Sequence, residues 1–278
     1  MKALFDKTSL ICSQELTKVY STSFSLAIKM LPPEIRPAIY AIYGFVRSAD
    51  EIVDSFHDYN QAELLQEFEE DYYKALERKI SLNPILNAFQ EVVHLYNIQE
   101  LVQAFLKSMK MDLYKNTYTS TAEINEYIYG SADVVGLMCL KVFVHGDEQR
   151  YNELKGGAMK LGSAFQKVNF LRDFKDDTER LGRIYFPAVD METLTATTKR
   201  TLIADIEEDF AQAYKGILQL PKEVQFGVYT AYRYYRSLLH KISATQPENL
   251  ATERIRVSNF LKIILLGKSF LRCQLNLL

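Results

Sequence analysis

The stretch RSADEIVD, residues 47–54, decides how this chain is read. It continues an apolar run, YAIYGFV (40–46), with helical rather than alternating spacing, and so predicts a helix from about Glu34 to His57, entered after Pro32-Pro33. On a helix, Asp50 and Asp54 stand at i and i+4 and share one face. Arg47 precedes that pair by three residues, and Tyr43 lies one turn before Arg47. A second stretch, QKVNFLRDFKDD (166–177), repeats the pattern: Asp173 and Asp177 are four apart, and Asn169 and Gln166 extend their face toward the N-terminus. Two such faces, opposed across a cavity, can hold Mg²⁺ between carboxylates and a phosphorylated substrate.

Taken alone, an acid pair at this spacing is most often a solvated helix face. Three features shift the weight. Both pairs lie in otherwise apolar stretches, and each has an arginine beside it, Arg47 or Arg172, suited to phosphate oxygens. Small residues at Ala158, Gly162 and Ala164 leave room beside the second helix for a ligand or a close helix. The chemistry that wants these residues is loss of diphosphate from an allylic carbon, where metal ions and Arg47, Arg172 and Arg183 meet the developing negative charge. The carbocation left behind needs a dry, aromatic wall. Phe24, Tyr40, Tyr43, Tyr127, Tyr129 and Tyr235 are candidates, although most of the 18 tyrosines and 16 phenylalanines must pack the core.

The rest of the chain reads as helix after helix, with no strand alternation. Asn83-Pro84 has the form of an N-cap followed by proline at the first helical position. Ser120 and Glu123 have capping-box spacing ahead of a helix that runs through Tyr129 and Leu140 and puts Tyr129, Asp133 and Gly136 on one stripe. A further helix is predicted from about Glu148 to Asp177, GRIYFP (182–187) reads as a loop, and Leu220-Pro221 separates two later helices. With 278 residues, 48 % of them hydrophobic, only 11 Gly and 7 Pro, and no linker or repeat, the expectation is one all-α domain over residues 1–278.

Charge and cysteine usage exclude several classes. A net charge of -2 leaves no basic footprint for nucleic acid, and three scattered cysteines and four scattered histidines give neither a disulfide framework nor a zinc site. The N-terminus carries no signal-peptide run, and no stretch of about 18 uncharged apolar residues exists, so a cytoplasmic chain is expected. Its last apolar segment, around residues 260–271, alternates with Arg254, Arg256, Lys262, Lys268 and Arg272. That composition suits either a helix packed on the core or one lying on an anionic membrane surface.

The blocks STSFS (21–25), YGFVRSADEIVD (43–54), YIYGSADVVG (127–136), AFQKVNFLRDFKDD (164–177), RIYFP (183–187) and YRSLL (235–239), followed by Arg256, resemble the trans-isoprenyl head-to-head synthases, the squalene/phytoene synthase family. They run in the family's order over nearly the whole chain, and the phytoene-forming bacterial members are the most similar. The resemblance implies an all-α isoprenoid-synthase fold around a central cavity. It places Asp50, Asp54, Asp173 and Asp177 at the metal-binding mouth with Asn169 in support, and Tyr43 and Arg47 in the catalytic set. Ser21, Ser23, Phe24, Ile28, Tyr129, Gln166, Arg172, Arg183, Tyr235 and Arg256 match substrate-binding positions, Phe24 and Ile28 along a tunnel for an isoprenoid tail.

By the same resemblance, two geranylgeranyl diphosphates would condense with Mg²⁺, or Mn²⁺ in its place, through prephytoene diphosphate to phytoene, with no NADPH. The alternatives are a dehydrosqualene or squalene synthase acting on farnesyl diphosphate, and a non-catalytic helical assembly factor, which would have lost one or more of the acids. An ordinary head-to-tail prenyltransferase would want longer DDxxD motifs. Three departures stand out: Tyr20 where relatives often carry a basic residue or His, Asp133 where many carry Gly, and a segment from Asp177 to Arg183 that is one residue longer.

Overall fold

The structure is a computed structural model that describes residues 1–179, 181–187, 194–250 and 255–275. The described helices are α1 (Lys2–Tyr20), α2 (Thr22–Lys29), α3 (Arg36–Ser55), α4 (Gln61–Arg78), α5 (Pro84–Tyr96), α6 (Gln99–Asp112), α7 (Thr121–Ile128), α8 (Val134–Phe143), α9 (Glu148–Arg172), α10 (Phe174–Glu179), α11 (Ala196–Gln219), α12 (Lys222–Ala244), α13 (Pro247–Leu250) and α14 (Asn259–Gln274). A π-helical turn, Tyr129–Asp133, joins α7 to α8. Among the described residues the only β pairing outside a strand is an isolated parallel bridge between Thr117 and Ile184.

The caps are those the side chains allow. Asn83 accepts the amides of Ile85 and Leu86 ahead of Pro84, and Ser120 accepts the amide of Glu123. The Glu123 carboxylate turns back to the amide of Thr119 at 2.8 Å. Leu220 and Pro221 break α11 from α12, since proline cannot continue the ladder.

Two readings are corrected. The helix expected to reach Asp177 stops at Arg172: Asp173 leaves the helical ladder, and its carbonyl then accepts the amide of Asp177 at 2.9 Å to start α10. Asp177 therefore lies on a short second helix and Asp173 at the junction before it, rather than both on the face of α9. The stripe of Tyr129, Asp133 and Gly136 is also broken, because the π turn inserts between α7 and α8 and shifts their register.

Burial gathers in two large apolar centres. One is built from α3, α4, α5, α6 and α8 around Phe45, Phe89, Phe105 and Tyr72; the other from α9, α11 and α12 with Tyr127, Phe170 and Tyr185. A third, small group of Leu140, Val144 and Leu154 closes one end. Leu220 packs against all three and Phe143 against the two large ones. Helix α9 runs between them, in contact with α8 and, more extensively, α11. Its backbone meets that of α11 directly: a Cβ on Gly157 would lie 2.8 Å from the Cα of Gly216, so neither position has space for a side chain.

Candidate active site

A cavity of about 420 Å³ opens between the two centres, lined by α2, α3, α8, α9, α11 and α12. One end is polar: Asp50 and Arg47 from α3, and Gln166, Asn169 and Arg172 from α9. The remainder is apolar, continuing past Phe24, Ile28, Val135 and Leu161 to Leu140, Phe143, Leu154 and Leu220. On α9 alone the lining runs from Arg172 to Leu154, about 27 Å at the rise of 1.5 Å per residue of an α-helix. The wall is aromatic near its polar end. Phe165 stacks on Tyr235 with centroids 3.8 Å apart, and Phe24 lies 5.9 Å from Tyr43 and 6.0 Å from Tyr235.

Just beyond that polar end the second acid of each pair comes into reach of the other. Arg183 links them: its Nη1 donates to Asp54 at 2.7 Å, while its backbone amide donates to the carbonyl of Asp177 at 2.7 Å. Gly182, at φ +61, makes the turn that allows this, so the longer segment after Asp177 still delivers a guanidinium to Asp54. Arg172 donates to Asp173 from Nε at 3.0 Å. The hydroxyl of Tyr235 donates to Asn169 at 3.3 Å. Arg47 pairs with Glu51.

The electrostatics are those of buried acids only partly offset by Arg47, Arg172 and Arg183. Burial pushes Asp50 up to about 8, and the charge of Asp54 adds to it against the opposing pull of Arg47; the side chain's remaining surface faces the cavity. Asp177 is likewise pushed up to about 8, by burial first and then by Asp173 and Asp54. Burial also raises the phenol of Tyr43 to about 12, which keeps it a neutral donor. Among the described residues no three His, Cys, Asp or Glu side chains lie close enough to cage a metal on their own. That donor set suits Mg²⁺, which is usually held by one or two carboxylates together with waters and substrate phosphates. A divalent cation here would offset both burial and mutual repulsion.

Several residues named from sequence lie elsewhere. Ser23 is not among the lining residues, although its neighbour Ser21 is, with a hydroxyl oxygen that also accepts the amide of Phe24 at 3.2 Å to cap α2. Tyr129 is 39 % exposed and away from the wall, a consequence of the π turn. Arg256 lies before α14 in an exposed segment, with its carbonyl held by Lys241, and does not line the cavity; Arg254 lies outside the described residues. Tyr40 and Tyr127 are core residues rather than lining. Asp133 is buried and accepts from Ser163 at 2.8 Å without reaching the cavity.

Sequence reasoning missed Asp112. It ends α6 at 6 % exposure, accepts from the hydroxyl of Tyr127 at 3.0 Å, and offers its carbonyl to Arg183 Nη2 at 3.2 Å. Its Oδ1 is buried without a partner, and burial raises the carboxyl to about 7. Its charge is felt at Asp50, so it is a fifth acid behind the site. Nothing in SMKMDLYK (108–115) marks it, because its partners come from α7 and the loop after α10.

Residues 17–260 match the family Squalene/phytoene synthase. The 15-cis-phytoene synthase of Synechocystis sp. is 30 % identical over 292 residues, covering 95 % of this chain and 85 % of its own. The phytoene synthase of Arthrospira platensis is 28 % identical, covering 95 % and 93 %. Phytoene synthase 3, chloroplastic, of Zea mays is 29 % identical over 98 % of this chain, which spans 66 % of that protein's length. Among solved structures, a dehydrosqualene synthase in complex with ligand superposes with a TM-score of 0.83 at 24 % identity, covering 97 % of this chain and 98 % of that one, and so shares the fold. A family match across most of the sequence, on a fold whose cavity ends at the two acid motifs, settles the kinship: this chain belongs to the squalene/phytoene synthase family.

Proposed function

We propose that the protein condenses two geranylgeranyl diphosphates head to head, through prephytoene diphosphate, to phytoene, releasing one diphosphate and one proton at each of the two steps and needing no reductant. The observation that carries this reading is the cavity: one polar end with acids and guanidiniums, and one long apolar shaft. An extended isoprenoid has four skeletal bonds per unit against three per residue in an extended peptide, so four units need roughly 19 Å. The lining residues of α9 span more than that, about 27 Å of helix. Similarity to cyanobacterial phytoene synthases supports the same choice.

Asp50, Asp54, Asp173 and Asp177, with Asn169 beside them, are the residues that would hold Mg²⁺, or Mn²⁺ in its place. When bound, the metal neutralises charge on the departing diphosphate. Arg47, Arg172 and Arg183 supply charge-assisted hydrogen bonds to phosphate oxygens. Tyr43 and Tyr235, neutral at physiological pH, present aromatic faces to the allylic carbon, and with Phe24 and Phe165 they exclude water from it.

We place the protein in the cytoplasm against a lipid surface, through the outer stripe of α14. Phe260, Ile263, Phe270 and Leu271 are exposed there, with Lys268 and Arg272 beside them. Lys262 donates to Thr22 at 2.5 Å, which puts the start of this helix beside Ser21 on the cavity lining. Substrates with long apolar tails and a hydrocarbon product have a short path between bilayer and cavity at that point.

The test is direct. Purified protein with Mg²⁺ is incubated separately with farnesyl and geranylgeranyl diphosphate, and the extracts are resolved by chromatography and mass. We expect phytoene from the longer substrate. A dominant thirty-carbon product would make the protein a dehydrosqualene or squalene synthase, and no product from either would favour a non-catalytic role.

A further inference from the structure

Arg47 is unusually constrained for a surface-helix arginine. Its Nη2 is paired with Glu51 one turn along α3, and its guanidinium carbon lies 4.5 Å from the centroid of the Tyr20 ring. Burial would raise the Glu51 carboxyl, but Arg47 holds it below its ordinary value and the Tyr20 hydroxyl adds to that. One edge and one face of the guanidinium are therefore occupied. The Nε of Arg47 is buried and has no hydrogen-bond partner. Arg47 and Tyr20 both line the cavity, whereas Glu51 does not.

A buried N–H left unpaired is costly and rare, and it calls for a group that arrives later. The side chain that carries this one faces the cavity's polar end, beside Asp50. Tyr20 is itself 47 % exposed and is the last residue of α1, so packing of the core does not require an aromatic ring there. What the ring does touch is Arg47. We propose that Tyr20 is a positioning residue: its ring holds the Arg47 guanidinium ordered with the buried Nε–H unspent, ready for a phosphate oxygen of the substrate's diphosphate. This rests on the diphosphate reading above. A long, flexible cation that is ordered before the ligand arrives loses less freedom on binding, which is how a residue without its own charge can strengthen an anion site. It also accounts for an aromatic residue at the mouth where a cation would be the simpler choice.

The test compares Tyr20→Phe, which keeps the ring, with Tyr20→Leu, which removes it. Inorganic diphosphate is titrated calorimetrically into each protein with Mg²⁺ present, and steady-state constants are taken with geranylgeranyl diphosphate. We expect Tyr20→Leu to bind diphosphate about two- to fivefold more weakly, the fold-change an exposed cation–π contact corresponds to. KM should rise by a similar factor with kcat less affected, and Tyr20→Phe should recover most of the affinity. Melting temperatures within error of wild type for both variants would exclude a merely structural role for the ring. Equal diphosphate affinity in wild type and Tyr20→Leu overturns the assignment. A wild type that binds diphosphate with the expected dependence on Tyr20, yet converts neither prenyl diphosphate, upholds it while ending the proposed reaction.

Discussion

At the scale of single residues, the proposed chemistry falls on the two acid pairs, and in each pair one member, Asp50 or Asp177, holds its charge in a poor solvent. Asp50→Asn and Asp173→Asn are nearly isosteric, and an amide is a weaker ligand for a hard cation than a carboxylate. We expect each to lower product formation on the order of a hundredfold or more while the helical circular dichroism stays unchanged. Wild-type turnover in either variant would remove the metal role from that position. A different acid, Asp133, allows a pH test away from the site. Burial raises its carboxyl to about 7 from the ordinary 3.8 of an aspartate, against the opposing hydrogen bond from Ser163. The folded protein thus binds this proton more tightly than the unfolded chain does, and the stability so contributed is present at low pH and lost as pH rises from about 4 through 7. Asp133→Asn should therefore match wild type in melting temperature near pH 4 and exceed it at pH 8. A constant difference at both would refute the burial argument. The i,i+4 spacing made the pairs legible in sequence. Asp112 was not, because its burial and its contacts with Tyr127 and Arg183 depend on elements that meet only in three dimensions.

At the scale of elements, helical period and capping chemistry located most of the segments, and the misses occurred where the ladder changes character. Sequence periodicity continues through Asp173, so the break there is invisible until the Asp173 carbonyl is seen capping α10. The π turn at Tyr129–Asp133 is likewise hidden, since one extra residue in a turn leaves composition unchanged while rotating what precedes it. Tyr127 faces inward and Tyr129 outward, as two residues about 200° apart on a helix must, and the π turn then keeps Tyr129 out of line with Gly136 on the cavity wall. Helix α9 is the ruler of the cavity, with Arg172 at the polar end and Leu154 at the other. Leu154 packs with Leu140 and Val144, and Leu220 leans on that group, so together they close the shaft. Leu161 lines the wall about 17 Å along α9 from Arg172, between the reach of the two tails, so Leu161→Phe should narrow the shaft there without adding charge or breaking a hydrogen bond. We expect it to depress turnover of geranylgeranyl diphosphate at least about tenfold relative to farnesyl diphosphate, the shorter tail needing roughly 14 Å. An unchanged ratio between the two substrates would mean that the tail does not reach Leu161.

At the scale of the whole molecule, pattern indicated an all-helical chain, but which helices face one another did not follow from it. The acids of α3 and α10 are more than a hundred residues apart, and only Arg183, bonded to Asp54 and held at Asp177, shows that they meet. The same scale governs where the protein works. No helix of the described residues is long and apolar enough to cross a membrane. Helix α14 instead buries Leu265 and Ser269 and leaves Phe260 and Ile263 outward at 73 % and 63 % exposure. An apolar stripe with cations beside it is suited to lie at the level of anionic headgroups, where the hydrophobic effect and surface potential act together. We expect the protein to sediment with vesicles containing phosphatidylglycerol more than with phosphatidylcholine alone, and less in high salt. Phe260→Ser with Ile263→Ser should weaken that binding about tenfold, as the loss of two interfacial side chains implies. Turnover of substrate dispersed in detergent should be unaffected, because neither residue lines the cavity. Should the wild type ignore vesicles and form instead a dimer that the same two substitutions dissolve, the stripe belongs to a second copy of the chain and the lipid assignment falls.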